Sequence, residues 1–211
     1  MDLSQNRYLD AHTTLPSEAL EWIVRQTHVR TSYPQMLSGQ VVGELLRILV
    51  QVSGASKVLE IGTFTGYSAV CLASGLPEGG HLDALEINDE LEDLIREGWH
   101  RAGLEDRITL HIGDAADFMR NAAEGTYDFI YIDANKREYS LYYELSLPLL
   151  RHGGLIVADD VCQGGKVYAD PPATDAQTTG LKAFNDLVAE DPRVEQVYLP
   201  IRDGLAVIRK I

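Results

Sequence analysis

Between residues 57 and 158 the chain alternates short apolar runs with amphipathic segments, and this alternation limits the fold more than any other feature. The runs are KVLEI (57–61), HLDALE (81–86), ITLHI (108–112), YDFIYI (127–132) and GLIVA (154–158). Helical candidates lie between them, near 66–76, 89–102, 115–123 and 138–150. Runs this short have strand length, and regular alternation with helices implies a mostly parallel, doubly wound α/β sheet with helices on both faces. The ending differs. VEQVYLP and GLAVIRK are separated only by Ile201 to Asp203, which suits an antiparallel hairpin at the sheet edge. Upstream, Ser17 is placed to cap a helix with Ala19, Leu20, Trp22, Ile23 and Val24 on its apolar side. A turn at Tyr33-Pro34 separates it from a second helix over about Ser38–Val52. With 211 residues, the expectation is a single domain, 1–211, in which helices of 1–52 precede a 53–211 core.

Composition narrows the partners. The chain is 45% hydrophobic and 24% charged, near the globular average. No apolar run reaches the ~20 residues of a membrane helix. MDLSQNRYLD lacks the basic-then-apolar pattern of a leader, so a soluble, cytoplasmic protein without membrane contact is expected. Cys71 and Cys162 have no metal-ligand spacing and imply no disulfide framework. A net charge of −14 argues against general nucleic-acid binding, while leaving room for one RNA substrate held in a local groove.

Ligands of doubly wound sheets bind beyond the carboxyl ends of the strands, so the residues just after each run are the ones to read. The first run leads into EIGTFTGYS. Gly62 and Gly66 permit a tight turn, and the following helix offers free N–H groups. The spacing is not the Gly-x-Gly-x-x-Gly of a dinucleotide site, and Glu60 is poor company for pyrophosphate but acceptable near an amino group. An ordinary strand–helix turn is the plainer alternative. Glu86 ends the second run 24 residues after Gly62, a position suited to a pair of ribose hydroxyls. It precedes the cap candidates Asn88 and Asp89, which favours the ribose role over a solvated acid. Gly113, Asp114 and Ala115 follow the third run, and they either border an adenine or, through Asp114, cap a helix. Asp133 follows the fourth run with Lys136 about one helical turn on, as a shared site or a local ion pair. Asp159 and Asp160 follow the fifth. Adjacent fourth and fifth strands would put Asp133, Asp159 and Asp160 at one crevice. Three carboxylates there point to a hard divalent cation, Mg²⁺, Ca²⁺ or Mn²⁺.

Taken together, SGQVVGELLRIL, VLEIGTFTGYSA, ALEIN, YIDANKREY, GGLIVADD and DPRVEQVYLPIRDGLAVIRK resemble the cation-dependent class I O-methyltransferases. This is the group of catechol and caffeoyl-CoA O-methyltransferases and their bacterial relatives. The resemblance covers nearly the whole length. It implies a Rossmann-like methyltransferase sheet and S-adenosylmethionine as methyl donor. Carried over by position, Glu60, Gly62, Thr63, Tyr67 and Ser68 would surround the methionine end, with Ser38 closing over it and Asp133 also bordering the donor. Glu86 would bind the ribose, and Gly113, Asp114 and Ala115 would line the adenine. Asp133, Asp159 and Asp160 would match the metal ligands, and Lys136 the lysine proposed as general base. A homodimer is also implied, for which the N-terminal helices and the C-terminal hairpin are apolar enough.

Three departures stand out. The family's Asp-Asn is Asp159-Asp160, its Leu-Trp-x-Gly is Cys162-Gln163-Gly164-Gly165, and its Asp-Ala-Asp-Lys is Asp133-Ala134-Asn135-Lys136. The missing tryptophan implies a more polar or more open acceptor pocket. The leading reading is metal-dependent methylation of a small catechol-like or vicinal dihydroxy acceptor. A second reading moves the same chemistry to a hydroxylated uridine in tRNA, against which the charge weighs. A third is a non-catalytic S-adenosylmethionine-binding protein with a drifted acceptor site.

Overall fold

The computed structural model describes residues 3–171 and 173–211; Met1 and Asp2, part of the stretch read for a leader, and Pro172 lie outside the described residues. Among the described residues, eight α-helices and seven strands follow in the order α1 (Leu3–His12), α2 (Glu18–Arg30), α3 (Gly39–Ser53), β1 (Lys57–Ile61), α4 (Tyr67–Gly75), β2 (His81–Glu86), α5 (Glu92–Ala102), β3 (Ile108–Ile112), α6 (Ala115–Asn121), β4 (Tyr127–Ile132), α7 (Tyr139–Leu149), β5 (Leu150–Ala158), α8 (Ala176–Glu190), β6 (Val194–Leu199) and β7 (Leu205–Lys210). The strands form one sheet in the order β3-β2-β1-β4-β5-β7-β6. β1/β4, β2/β3 and β4/β5 pair in parallel, whereas β5/β7 and β6/β7 are antiparallel. The expected mixed sheet and terminal hairpin are therefore present. β6 is the edge, and β7 lies inside, between β5 and β6.

The chain divides into two compact units, one of residues 1–56 with 63–113 and one of 57–62 with 114–211. In the first, Ser17 caps α2 as expected, accepting from the Leu20 amide. α3 buries Val42, Leu46 and Val50, spaced four apart on one stripe, and left-handed Gly54 ends it. α3 lies so close to α4 that a Cβ on Gly43 would meet Cys71 Sγ at 2.7 Å. The Thr27 hydroxyl of α2 donates to the Ile23 carbonyl and accepts from the Thr65 hydroxyl, each at 2.8 Å, holding the turn that precedes α4.

In the second unit, the rows Ile61–Ile132–Ala158 and Glu60–Tyr131–Val157 run across β1, β4 and β5. Phe184 of α8 meets Tyr139 and Tyr143 of α7 edge-on, at 5.5 and 5.9 Å between ring centres. α8 was not among the expected elements, and α1 lies within the helical 1–52 region without having been named as a separate helix. β5 also starts four residues before the expected apolar run, at Leu150, because Arg151, His152 and the two glycines hide its beginning. Among the described residues, no helix is long and apolar enough to cross a membrane.

Candidate active site

Where β1, β4 and β5 end, the chain sets the next three residues side by side. The Asp133 amide donates to the Ile61 carbonyl at 2.9 Å, and the Asp159 amide to the Ile132 carbonyl at 3.0 Å. Gly62, Asp133 and Asp159 thus extend the ladder by one row. Gly62 has φ +90°, and a Cβ there would lie 2.5 Å from the Asp133 carbonyl oxygen, so glycine is required on both counts.

The four predicted residues of this end come together. Lys136 lies in a single 3-10 turn, 136–138, and its ammonium donates to Asp133 Oδ1 at 2.7 Å and to the Tyr139 hydroxyl at 2.8 Å. It also pairs with Asp160 Oδ2 at 3.1 Å. Asp160 reaches it from a left-handed backbone, φ +57°, a region that Asp and Asn tolerate better than most residues. Asp159 is engaged elsewhere. Its Oδ1 accepts from the Asp160 amide and its Oδ2 from the Tyr131 hydroxyl, each at 2.7 Å. The carboxylates of Asp133 and Asp160 thus converge on an ammonium and that of Asp159 on a phenol. Among the described residues, no group of three or more His, Cys, Asp or Glu side chains is arranged to hold a metal ion.

Burial dominates the electrostatics. It pushes the Asp133 carboxyl above its ordinary range; Lys136 opposes this, and the Asp160 charge adds to it. Asp159, 3% exposed, is pushed up to about 7, by burial first and then by the charges of Asp133 and Asp160. Burial also works against the charge on Lys136, but Asp133, Tyr139 and Asp160 outweigh it and hold the ammonium well above its ordinary range.

The predicted donor residues fall on both units. In the first, the Glu86 carboxylate accepts from the Phe64 amide at 2.7 Å and from the Asn88 amide at 2.9 Å. Burial raises its pKa against these two bonds. The Gly113 amide donates to the Glu86 carbonyl, so Gly113 and Glu86 are neighbours. Thr63 is buried, and its hydroxyl has no hydrogen-bond partner, which is the condition of a group shaped for a ligand. Ser38, Tyr67 and Ser68 are buried, the last two in the first turn of α4. In the second unit, Glu60 is fully buried beside Tyr131 in the strand register. Asp114 is exposed and caps α6 through the Asp117 amide, the plainer of its two expected roles; Ala115 opens that helix, half-buried.

Known proteins bear on these residues. A profile of the O-methyltransferase family matches residues 10–211. The chain belongs to the O-methyltransferase family. It is 39% identical over 170 residues to a probable caffeoyl-CoA O-methyltransferase 2 of Dictyostelium discoideum, covering 78% of this chain and 73% of that protein. It is 34% identical over 173 residues to a catechol O-methyltransferase of Niastella koreensis, covering 78% of each. The crystal structure of an O-methyltransferase from Bacillus cereus in complex with SAH superposes with a TM-score of 0.91 at 31% identity, covering 99% of this chain and 97% of that one. The resemblance drawn from the motifs to the catechol and caffeoyl-CoA group is borne out.

Two polar residues of this O-methyltransferase site escaped the sequence reading. Tyr139 is fully buried; its hydroxyl accepts from Lys136 and donates to the Asp159 carbonyl at 3.0 Å. Tyr131 reaches the Asp159 carboxylate. Tyr131 sits in an apolar run, where a tyrosine reads as core, and Tyr139 opens the helix that follows the charged stretch 136–138. The available signal is spacing: each lies two or three residues from a charged site residue. α8 contributes as well, since a Cβ on Gly180 would stand 2.7 Å from the Lys136 carbonyl oxygen.

As a donor set, the cluster fits a hard divalent ion. Its candidate donor atoms are all carboxylate oxygens, and three carboxylates against one ammonium leave two formal negative charges in excess.

Proposed function

We propose that the chain transfers a methyl group from S-adenosylmethionine to a hydroxyl of a small catechol-like or vicinal dihydroxy acceptor, with Asp133, Asp159 and Asp160 holding a divalent cation (Mg, Ca or Mn). The observation that carries this reading is the gathering of those carboxylates and Lys136 just past β4 and β5. When bound, such a cation stabilises an acceptor oxyanion and lowers the pKa of the acceptor hydroxyl. Lys136 has three acceptors within 3.1 Å, matching the three N–H bonds of an ammonium. Its role is therefore positive charge beside the acceptor oxygen rather than that of a ready base. For the donor, Glu86 keeps lone pairs for a ribose diol beside the two amides it accepts from, and the buried, unpartnered Thr63 hydroxyl is assigned to the methionine end. The other residues assigned to the donor are Ser38, Tyr67, Ser68 and Gly113 of the first unit and Glu60, Gly62, Asp114, Ala115 and Asp133 of the second. The Bacillus cereus relative, solved with SAH, supports this donor. Relatives named for caffeoyl-CoA and catechol favour a small-molecule acceptor over tRNA, and the presence of Lys136 favours catalysis over binding alone. Exposed Val29, Tyr33, Met36 and Val52 support self-association as a homodimer.

Methyl transfer from S-adenosylmethionine to a panel of catechols, with and without a chelator, tests the reading. The expected result is a methylated catechol, lost with the chelator and restored by added cation. Methylation of bulk tRNA with no catechol product would overturn the acceptor class, and activity indifferent to the chelator would remove the cation.

A further inference from the structure

Tyr131 is the one residue of Phe129–Ile132 with a polar tip, and it is fully buried like its neighbours. A phenol so placed has to find its partner inside the protein. Tyr131 lies two residues before Asp133, and alternation along a strand puts both side chains on one face of the sheet. It is level with Val157 on β5, which stands in the same relation to Asp159. The ring therefore lies directly before the Asp133–Asp159 row, and its hydroxyl points along it. The hydroxyl is 2.7 Å from Asp159 Oδ2 and 3.5 Å from Asp133 Oδ2. With Oδ1 held by the Asp160 amide, both oxygens of Asp159 have a fixed donor, and each keeps a lone pair.

We propose that Tyr131 is a positioning residue for Asp159: its hydroxyl fixes the rotation of that carboxylate and so sets how tightly the site holds a divalent cation. This rests on the reading of Asp133, Asp159 and Asp160 as the cation's holders. A carboxylate already fixed in orientation loses less freedom on binding than one that rotates. Outer groups hydrogen-bonded to ligands commonly govern metal affinity by about 10–100-fold. Packing alone does not call for the hydroxyl, because phenylalanine fills nearly the same space and already stands at position 129 of the strand.

The test is calorimetric titration of Tyr131→Phe and the parent with Mn²⁺, and separately with S-adenosylhomocysteine, after melting curves establish folding. The variant is expected to bind Mn²⁺ about 10–100-fold more weakly, with S-adenosylhomocysteine affinity unchanged. In the Asp159→Asn background the same substitution should change Mn²⁺ affinity by less than about twofold, since the route through Asp159 is gone. Mn²⁺ affinity of Tyr131→Phe equal to the parent's would overturn the proposal, as would full additivity in the double variant. A tyrosine ultraviolet difference spectrum of the parent on adding Mg²⁺ needs no variant; a band is expected, and a flat spectrum at saturating Mg²⁺ counts against it. A parent that binds neither ion overturns the cation reading and this inference with it, and that failure shows before any variant is made.

Discussion

Lys136 is crowded by its acceptors, and the crowding decides what its loss does. Lys136→Met removes the ammonium that pairs with both Asp133 and Asp160. A preorganised charge at the reacting oxygen is worth about 10²–10³ in rate. The variant should therefore lose at least about 10² in kcat while binding S-adenosylhomocysteine like the parent. Kinetics paired with calorimetry check this, and parent-like kcat would remove Lys136 from the chemistry. Asp160 gives a second prediction. Asn keeps both its volume and its tolerance of φ +57°, so Asp160→Asn should fold normally. It takes one negative charge from the cluster, and hard-ion affinity follows ligand charge. Weaker Mn²⁺ binding at an unchanged melting temperature is the expected outcome; unchanged binding would mean that Asp160 serves only Lys136. At this scale the sequence was informative where charge broke an apolar run, as at Asp133, Asp159 and Asp160. It was silent at Tyr131, whose ring satisfies the apolar pattern, and at Tyr139, which opens a helix, although their hydroxyls bond Asp159 and Lys136.

Elements were legible in proportion to their periodicity. The strands up to β4 and helices α2 to α7 follow apolar runs and cap residues that local chemistry dictates. α8 was missed because its buried apolar residues, Leu181, Phe184 and Val188, begin only after the largely polar stretch 173–180, which hides its first turn. Yet α8 supports the turn that carries Lys136, through the close approach at Gly180. A methyl group there would strike the Lys136 carbonyl and the Arg137 Cα at 2.7 and 2.8 Å, both backbone atoms that cannot swing aside. Gly180 is helical, so alanine would otherwise favour the helix by about 1 kcal/mol. Gly180→Ala should therefore displace the Lys136 turn and depress kcat by more than its effect on the melting temperature accounts for. Steady-state kinetics beside a thermal melt check it. Gly54→Ala, whose Cβ meets nothing within 4 Å, should cost only the left-handed strain of about 1–2 kcal/mol and spare kcat.

For the molecule as a whole, acid stability has a traceable contribution outside the site. Asp191 ends α8, and its carboxylate accepts from Arg193 and from the Tyr143 hydroxyl of α7. These bonds, Arg193 first, hold its pKa down to about 2. The folded carboxyl thus lies below its unfolded value of about 3.9. Its contribution is complete above that value and fades as pH falls toward about 2, because the unfolded chain takes up the proton first. Asp191→Asn should be less stable than the parent by roughly 2 kcal/mol at pH 7, and the gap should close between about pH 4 and pH 2. Denaturant melts across that range decide it; a gap that does not vary with pH would assign the effect to packing. The strand order also has a consequence in time. β5 ends at the carboxylate pair, and its second neighbour is β7, residues 205–210. During synthesis, then, the ribosome has finished Asp133, Lys136, Asp159 and Asp160 long before β5 has both its partners. The edge of β5 stays open for some fifty residues of translation, a window in which a chaperone or another nascent chain can reach it.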